Sequence, residues 1–478
     1  MENLHFIKTS NRNCYLYNYD LGRLFLLPPS LYKILNNESL SDKDENFAYY
    51  SRKIEYLKKH HILDCETSCL NYWGISEKTV LNNFINTNQI TFEITDKCNI
   101  ACKYCAYRDL YHDYDKRTNV NLNIDTALSL LYELINYWRS NRDTSSNKIV
   151  DIGFYGGEPT LNMDFVRKIV DFINRQQNTN RIFTFSMTTN ALLLDKHMDY
   201  LKEHNFRLLI SLDGDSKGNM NRLDKHGKPT FEQVVRNIDL LKTTYPEYFD
   251  KYVSFNTVLH DKNPLEDIYH FFHKRYGKVP RLSPLSTTGR NEDKSEVFKE
   301  MERNVKKELK GMKKQAEIRT WLGILEPGFL NIANFIYNII GSTYTNYNTL
   351  INEEKQANII PTGTCLPFSR KIYLTVNDKI LPCERVGQSF ILGYIKNGVS
   401  IDFKKIANDY NVLFSNAMKK CSKCYRLKSC MLCLLAEKGQ CNMFMSKEKF
   451  NKYWRFYIEK VETTPVLYKK VKDEFVIR

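Results

Sequence analysis

At 478 residues with 42% hydrophobic side chains, the chain is long enough for two or three domains and a sizeable core. Its apolar runs fall far short of the roughly 20 residues a membrane-spanning helix needs. The opening "MENLHFIKTSN" lacks the basic-then-apolar order of a secretory signal, so a soluble, cytoplasmic protein without a membrane partner is expected. The net charge of +15, from 70 Lys+Arg against 55 Asp+Glu, reads as solvated lysine-rich helices. The densest basic run, "KKELKGMKK", lacks the interleaved aromatics of a nucleic-acid-reading face, and no nucleic-acid partner is expected.

Residues 12–35, "RNCYLYNYDLGRLFLLPPSLYKIL", read as two short strands joined around Asp20-Leu21-Gly22, then a Pro-Pro break and a helix start. "FAYYSRKIEYLKKHHIL" follows with apolar residues at helical spacing. Strands followed by helices within about 90 residues suggest a small winged-helix-like domain, assigned to 1–85.

From residue 89 strand and helix alternate. Strands are predicted at 89–95, 148–155, 181–189, 207–213, 252–259 and 280–286, with amphipathic helices between them. Each unit is long enough for a parallel crossover, so an α/β fold is expected: a partial (β/α)6 barrel over 86–290 with functional groups at the C-terminal ends of its strands. Residues 291–360 read as a helical connection and 361–445 as a cysteine-dense, metal-held lobe with little core of its own. Residues 446–478 read as helix and tail.

Thirteen cysteines in a cytosolic chain argue for metal rather than disulfides. Three of them, Cys98, Cys102 and Cys105, follow the first barrel strand as C-x3-C-x2-C, with Tyr104 before the last. A four-iron cluster has one iron per ligand, so three local thiolates leave one iron open. The alternative is a zinc site completed by a distant histidine. Seven more lie at Cys365, Cys383, Cys421, Cys424, Cys430, Cys433 and Cys441. Their C-x2-C pairs suit two zinc ribbons, although seven ligands fill two four-ligand sites only with help or a vacancy. Cys14, Cys65 and Cys69 read as plain thiols.

"CNIACKYCAY" resembles the radical SAM superfamily motif. The resemblance implies that Cys98, Cys102 and Cys105 hold a [4Fe-4S] cluster whose open iron binds S-adenosylmethionine, with an electron donor such as flavodoxin or ferredoxin. The second strand ends in Gly156-Gly157-Glu158-Pro159, matching the family's GGEP motif, which engages the methionine amino group. By family position Tyr104 also belongs to the cofactor site, Ser186, Thr188 and Asn190 in "SMTTN" lie near the ribose, and Ser211 and Arg222 in "LLISLDGDSKGNMNR" contact the carboxylate. Relatives usually carry glycine where this chain has Ala191, and a histidine–aspartate pair where it has "NMN". Asn256 and Val258 read as ordinary strand residues.

The cysteine-rich end resembles the SPASM domain. There the resemblance implies two auxiliary [4Fe-4S] clusters. Cys365, Cys383 and Cys433 would hold the first, which lacks one protein ligand, and Cys421, Cys424, Cys430 and Cys441 the second. Asp378 replaces a family glycine, and one x3 spacing is shortened to x2. The N-terminal segment resembles the leader-peptide recognition element of ribosomal-peptide (RiPP) maturases, which implies a precursor peptide with a leader as partner. The expected function is radical modification of such a precursor, with thioether crosslinking at cysteine foremost. The alternatives are an anaerobic sulfatase maturase forming formylglycine and a non-catalytic iron–sulfur electron carrier or scaffold. No catalytic acid or base is identifiable in the sequence.

Overall fold

The computed structural model describes residues 4–19, 23–36, 47–59, 63, 74–140, 148–176, 179–303, 308, 317–318, 335–336, 360–427 and 430–468. Cys65, Cys69 and most of the expected connection at 291–360 lie outside the described residues.

Six parallel strands form the centre: β4 (Gln89–Thr95), β5 (Lys148–Gly156), β6 (Arg181–Thr189), β7 (Arg207–Ser211), β8 (Val253–Leu259) and β9 (Arg281–Pro284), adjacent in that order. Before them come β1 (Leu4–Lys8), β2 (Cys14–Asn18), β3 (Arg23–Leu27), α1 (Pro29–Leu35), α2 (Phe47–Lys59) and α3 (Glu77–Ile85). The helices between the parallel strands are α4 (Ile124–Ser140), α5 (Met163–Asn174), α6 (Met198–Glu203), α7 (Phe231–Thr244), α8 (Pro246–Tyr252) and α9 (Leu265–Tyr276), with α10 (Ser295–Met301) beyond β9. This is an α/β fold built on a parallel sheet.

Alternation along the strands sorts the two faces. Phe92 of β4 packs on Phe165 of α5, and Phe154 of β5 and Phe185 of β6 pack on Phe206, so that face is covered by helices and apolar contacts. The other face carries polar side chains in three tiers. The lowest holds Gln89, Asp151 and Thr184, in register across β4, β5 and β6, and Arg207 closes it with a 2.7 Å bond to Asp151. Above it lie Thr91, Gly153 and Ser186. A side chain on Gly153 would meet the Thr91 and Ser186 hydroxyls, so the middle tier is filled without one. The upper tier, at the strands' C-terminal ends, holds Glu93 beside Tyr155.

The cysteine-dense lobe shares the core of the main sheet, because it continues that sheet. β10 (Ile372–Leu374) pairs in parallel with β4, and β11 (Lys379–Leu381), β12 (Gly393–Ile395) and β13 (Val399–Ser400) extend the sheet antiparallel to ten strands. Ile372, Leu374 and Ile380, with Tyr410 and Phe414 of α11 (Phe403–Cys421), belong to the same apolar core as the parallel strands. Strands of three residues leave too little periodicity to be read in advance.

β1, β2 and β3 form an antiparallel sheet. One face packs against Phe450, Trp454 and Tyr457 of α12 (Lys447–Thr463), so Ile7 and Tyr17 share a core with the other end of the chain. The other covers Leu31 and Tyr32 of α1, where Cys14 is a buried core thiol. Among the described residues, no helix is long and apolar enough to cross a membrane.

Candidate functional site

The loop after β4 carries Cys98, Cys102 and Cys105. It is shaped by close backbone approach from β5. Gly156 sits at φ +135°, and a Cβ on it would strike the Thr95 carbonyl oxygen, while a Cβ on Gly157 would strike that of Lys97. Only glycine lets the two loops meet this closely, and they are joined by Gly157 N–H to Thr95 O at 2.7 Å and Glu158 N–H to Lys97 O at 2.8 Å.

Glu158 is buried, and its carboxylate accepts from Thr160 N–H and Oγ1, from Thr189 Oγ1 and from Asn190 N–H. It thereby ties the end of β5 to the end of β6. Asn190, so held, turns its amide Nδ2 to Asn99 Oδ1 at 2.7 Å and toward Cys98 Sγ at 3.9 Å. Ala191 keeps the left-handed turn that glycine would favour, at φ +63°.

On the opposite side, Tyr104 donates to Asp213 Oδ2 and accepts from Arg222 Nη1 at 2.9 Å. His260 stacks on the Tyr104 ring at 5.6 Å, with its Nε2 3.7 Å from Asp213 Oδ2 and its Nδ1 3.3 Å from Asn221 Nδ2. Arg222 lies close enough to oppose, by its charge, the effect of burial on Cys102, whose thiol burial pushes up to about 12. Burial also raises Cys98, with the Glu158 charge adding to it.

A third group closes the interior. Tyr107 donates to Glu93 Oε1, and Val376 N–H donates to Glu93 Oε2 at 3.2 Å. Arg117 lies over the Tyr107 ring at 4.2 Å and donates from Nη2 to Cys105 Sγ at 3.6 Å. Burial raises the Glu93 carboxyl to about 7, although Tyr107, Val376 and Arg117 each oppose the shift. Glu93, Arg117, Asp213 and His260 were not singled out in the sequence. Asp213 stood inside the quoted "LLISLDGDSKGNMNR" and Glu93 in the strand predicted at 89–95, and a lone carboxylate in or just after an apolar strand was the available signal.

The other expected residues are distributed as follows. Ser186 donates to Asp151 Oδ2 at 2.7 Å, a tier below the cysteine loop. Thr188 lies near the C-terminal end of β6, and Ser211 ends β7 opposite Asn256. Asn256 accepts from Ser283 at 2.8 Å, and Val258 N–H donates to Asp213 at 3.0 Å.

The remaining cysteines form two neighbourhoods. Thr364 Oγ1 accepts from Leu434 N–H at 2.8 Å, which brings Cys365 beside Cys433, and both, with Cys383, lie within electrostatic reach of the Tyr410 hydroxyl. Cys421, whose thiol burial pushes up to about 11, feels Cys424, Cys430 and Cys441 next in turn. Asp378, where the SPASM-like pattern expects glycine, adopts φ +59°, the conformation glycine would favour. Among the described residues, no three His, Cys, Asp or Glu side chains converge as the ligands of one metal ion do. A four-iron cluster asks for less convergence, since each thiolate binds its own iron.

Three thiols on a glycine-cradled loop at the C-terminal edge of a parallel sheet, with donors aimed at two of the sulfurs, form a site suited to an iron–sulfur cluster. Residues 92–274 match the radical SAM superfamily, and this part of the chain belongs to it. The family's cofactor is a [4Fe-4S] cluster that binds S-adenosylmethionine, and the glycine cradle with the Asn190 and Arg117 donors fits it. The chain is 25% identical over 276 residues to the radical SAM cyclopropyl synthase TigE of Paramaledivibacter caminithermalis, covering 53% of this chain and 55% of that protein. It is 28% identical over 200 residues to the cysteine-type anaerobic sulfatase-maturating enzyme of Clostridium novyi, covering 40% of this chain and 50% of that protein. It thus spans about half the length of the curated relatives it matches. In three dimensions it resembles native anSMEcpe with bound AdoMet and Cp18Cys peptide, at a TM-score of 0.52 and 18% identity, over 80% of this chain and 99% of that one. At that identity the likeness is one of fold.

Proposed function

We propose that the protein is a radical SAM maturase that modifies a ribosomally made precursor peptide, with thioether crosslinking at a cysteine as the leading chemistry. Cys98, Cys102 and Cys105 hold the S-adenosylmethionine cluster. Cys365, Cys383 and Cys433 hold one auxiliary cluster, and Cys421, Cys424, Cys430 and Cys441 the other. When bound, the first cluster and S-adenosylmethionine supply a 5′-deoxyadenosyl radical that removes a hydrogen atom from the substrate.

The observation that carries this reading is the polar, tyrosine-lined interior between the first and second thiol groups. Tyr155 feels the charges of both Cys105 and Glu384, the neighbour of Cys383, and Tyr114 feels Cys383 and Tyr111. A peptide side chain held there has the radical-forming site on one side and auxiliary thiols on the other. Gly156 and Gly157 hold the cysteine loop in place, Asn190 orients Cys98, and Arg117 neutralises charge at Cys105. Glu93 is the one carboxyl of the upper tier poised to hold or accept a proton near neutral pH. The leader of the precursor is assigned to the N-terminal sheet, by strand addition at an edge.

A second reading, an anaerobic sulfatase maturase, is favoured by the relative from Clostridium novyi, and uses the same interior. The experiment is anaerobic turnover of the reconstituted protein with S-adenosylmethionine and a reductant. Two peptides are offered, a cysteine-rich precursor encoded beside this gene and a sulfatase-derived cysteine peptide. Loss of two hydrogens with sulfur retained, on the first peptide only, supports the proposal. Loss of sulfur from the second supports the sulfatase reading. Absence of 5′-deoxyadenosine with either leaves a non-catalytic iron–sulfur protein.

A further inference from the structure

Tyr410 lies on α11 with its side chain wholly buried, and its hydroxyl has no hydrogen-bond partner among the described residues. Leaving a phenol O–H unpaired in a core costs its desolvation without return, so native proteins give such a group a partner. Phe390 and Phe414 pack on the ring at 5.5 Å and 5.7 Å and supply no acceptor. Among the described residues, the charges that reach the hydroxyl are those of Cys433, Cys383 and Cys365. Their convergence there is built by the backbone. Gly363 N–H bonds Leu432 O at 2.9 Å and Leu434 N–H bonds Thr364 Oγ1 at 2.8 Å, which lays the Cys365 segment along the Cys433 segment. Cys383 follows β11, which the β10 pairing anchors to the main sheet. This is also the thiol group that lacks a fourth cysteine.

We propose that the Tyr410 hydroxyl is a built-in hydrogen-bond donor to the sulfur-bearing group gathered by Cys365, Cys383 and Cys433, and that it sets the reduction potential of that group. The inference rests on the auxiliary-cluster assignment above. A phenol is protonated at neutral pH and carries one donor. Thiolates and cluster sulfides are acceptors, and hydrogen bonds to the sulfurs are among the factors that set a cluster's potential. A donor stabilises the reduced, more negative state more than the oxidised one, so it raises the potential. Tyr410 is in this role a positioning residue: it makes the auxiliary group a readier electron acceptor.

The test uses the full chain with Cys98, Cys102 and Cys105 replaced by alanine, so that only auxiliary clusters remain, purified without oxygen. Redox titration followed by electron paramagnetic resonance is compared for this parent, for Tyr410→Phe and for Cys383→Ala, which identifies the signal of the first auxiliary group. Tyr410→Phe preserves the ring packing and is expected to keep the iron content while moving that signal alone to a more negative potential. In the parent, an exchangeable proton coupled to the signal, detected by comparing H2O with D2O, is expected to vanish in Tyr410→Phe. An unmoved potential with the proton coupling intact overturns the proposal. Loss of iron in Tyr410→Phe overturns it in favour of direct ligation. If the parent binds no iron, the auxiliary assignment itself has failed, and this inference falls with it.

Discussion

Arg117 Nη2 lies 3.6 Å from Cys105 Sγ, and the same guanidinium covers the Tyr107 ring whose hydroxyl binds Glu93. One cation therefore links the last cysteine of the triplet to the buried carboxyl at the top of the barrel interior. Groups that hold metal ligands in place commonly cost 10–100-fold in activity or metal affinity when removed. Arg117→Gln is expected to slow 5′-deoxyadenosine formation per bound cluster by roughly that factor, and Arg117→Lys to restore part of it through charge. Rate per iron is the quantity to measure, and equal rates in all three proteins would exclude the role.

Glu93 makes stability depend on pH. Burial raises its carboxyl to about 7 in the folded chain, against about 4.3 when unfolded. The folded state thus binds this proton more tightly than the unfolded one. Stability from this residue is greatest at acid pH, falls as pH rises from about 4.3 to 7, and is level above that, a loss on the order of 3 kcal/mol. Glu93→Gln cannot ionise and is expected to lack this slope. Urea midpoints at pH 5 and pH 8 give the check: the variant should gain on the parent at the higher pH, and a constant difference counts against it.

Gly157 is a point of contact that tolerates no side chain, because a Cβ there would overlap the Lys97 carbonyl, part of the cysteine loop. Gly157→Ala must push that loop away, with an overpacking cost of about 1–3 kcal/mol. Weakened S-adenosylmethionine binding and easier loss of iron from the triplet are expected. Gly227→Ala serves as the control. Its φ is +81°, but it faces open space, and the substitution should leave the iron unaffected.

Ala191 occupies the left-handed region at φ +63° with its side chain fully buried. An alanine there costs about 1–2 kcal/mol, partly offset by burial of its methyl. Ala191→Gly is therefore expected to stay within about 1 kcal/mol of the parent and to retain activity. Ala191→Val, β-branched at positive φ, should destabilise by more and disturb Asn190 beside Cys98. Thermal unfolding with an assay for 5′-deoxyadenosine separates the two, and a fully active Ala191→Val would refute the argument.

Two departures from family pattern have the same resolution. Ala191 and Asp378 stand where the resemblance led us to expect glycine, and both backbones take positive φ. Asp does so at small cost because its short polar side chain suits that region, whereas Ala is held there by its surroundings. The motif as a string of letters was broken at these positions while the turn it encodes was kept.

What could be read from the letters was local. The C-x3-C-x2-C spacing, the Gly-Gly-Glu-Pro turn and the alternation of β-rich and amphipathic segments each depend on residues within a few positions of one another, and period 2 against period 3.6 separates strand from helix directly. The polar tiers of the barrel interior depend instead on which strands are neighbours and in what register. Asp213 reaches Tyr104 across 109 positions, His5 reaches Asn451 across 446, and Arg117 meets Cys105 only because the loop folds back over Tyr107. No periodicity records such meetings. Tyr410 reads as one more aromatic on a helix, and α12 as a helix without a partner, until chain folding brings three thiols to the first and the N-terminal sheet to the second. Local preference thus chose the elements and the cysteine spacings, whereas long-range strand pairing chose the buried charges and donors that surround them.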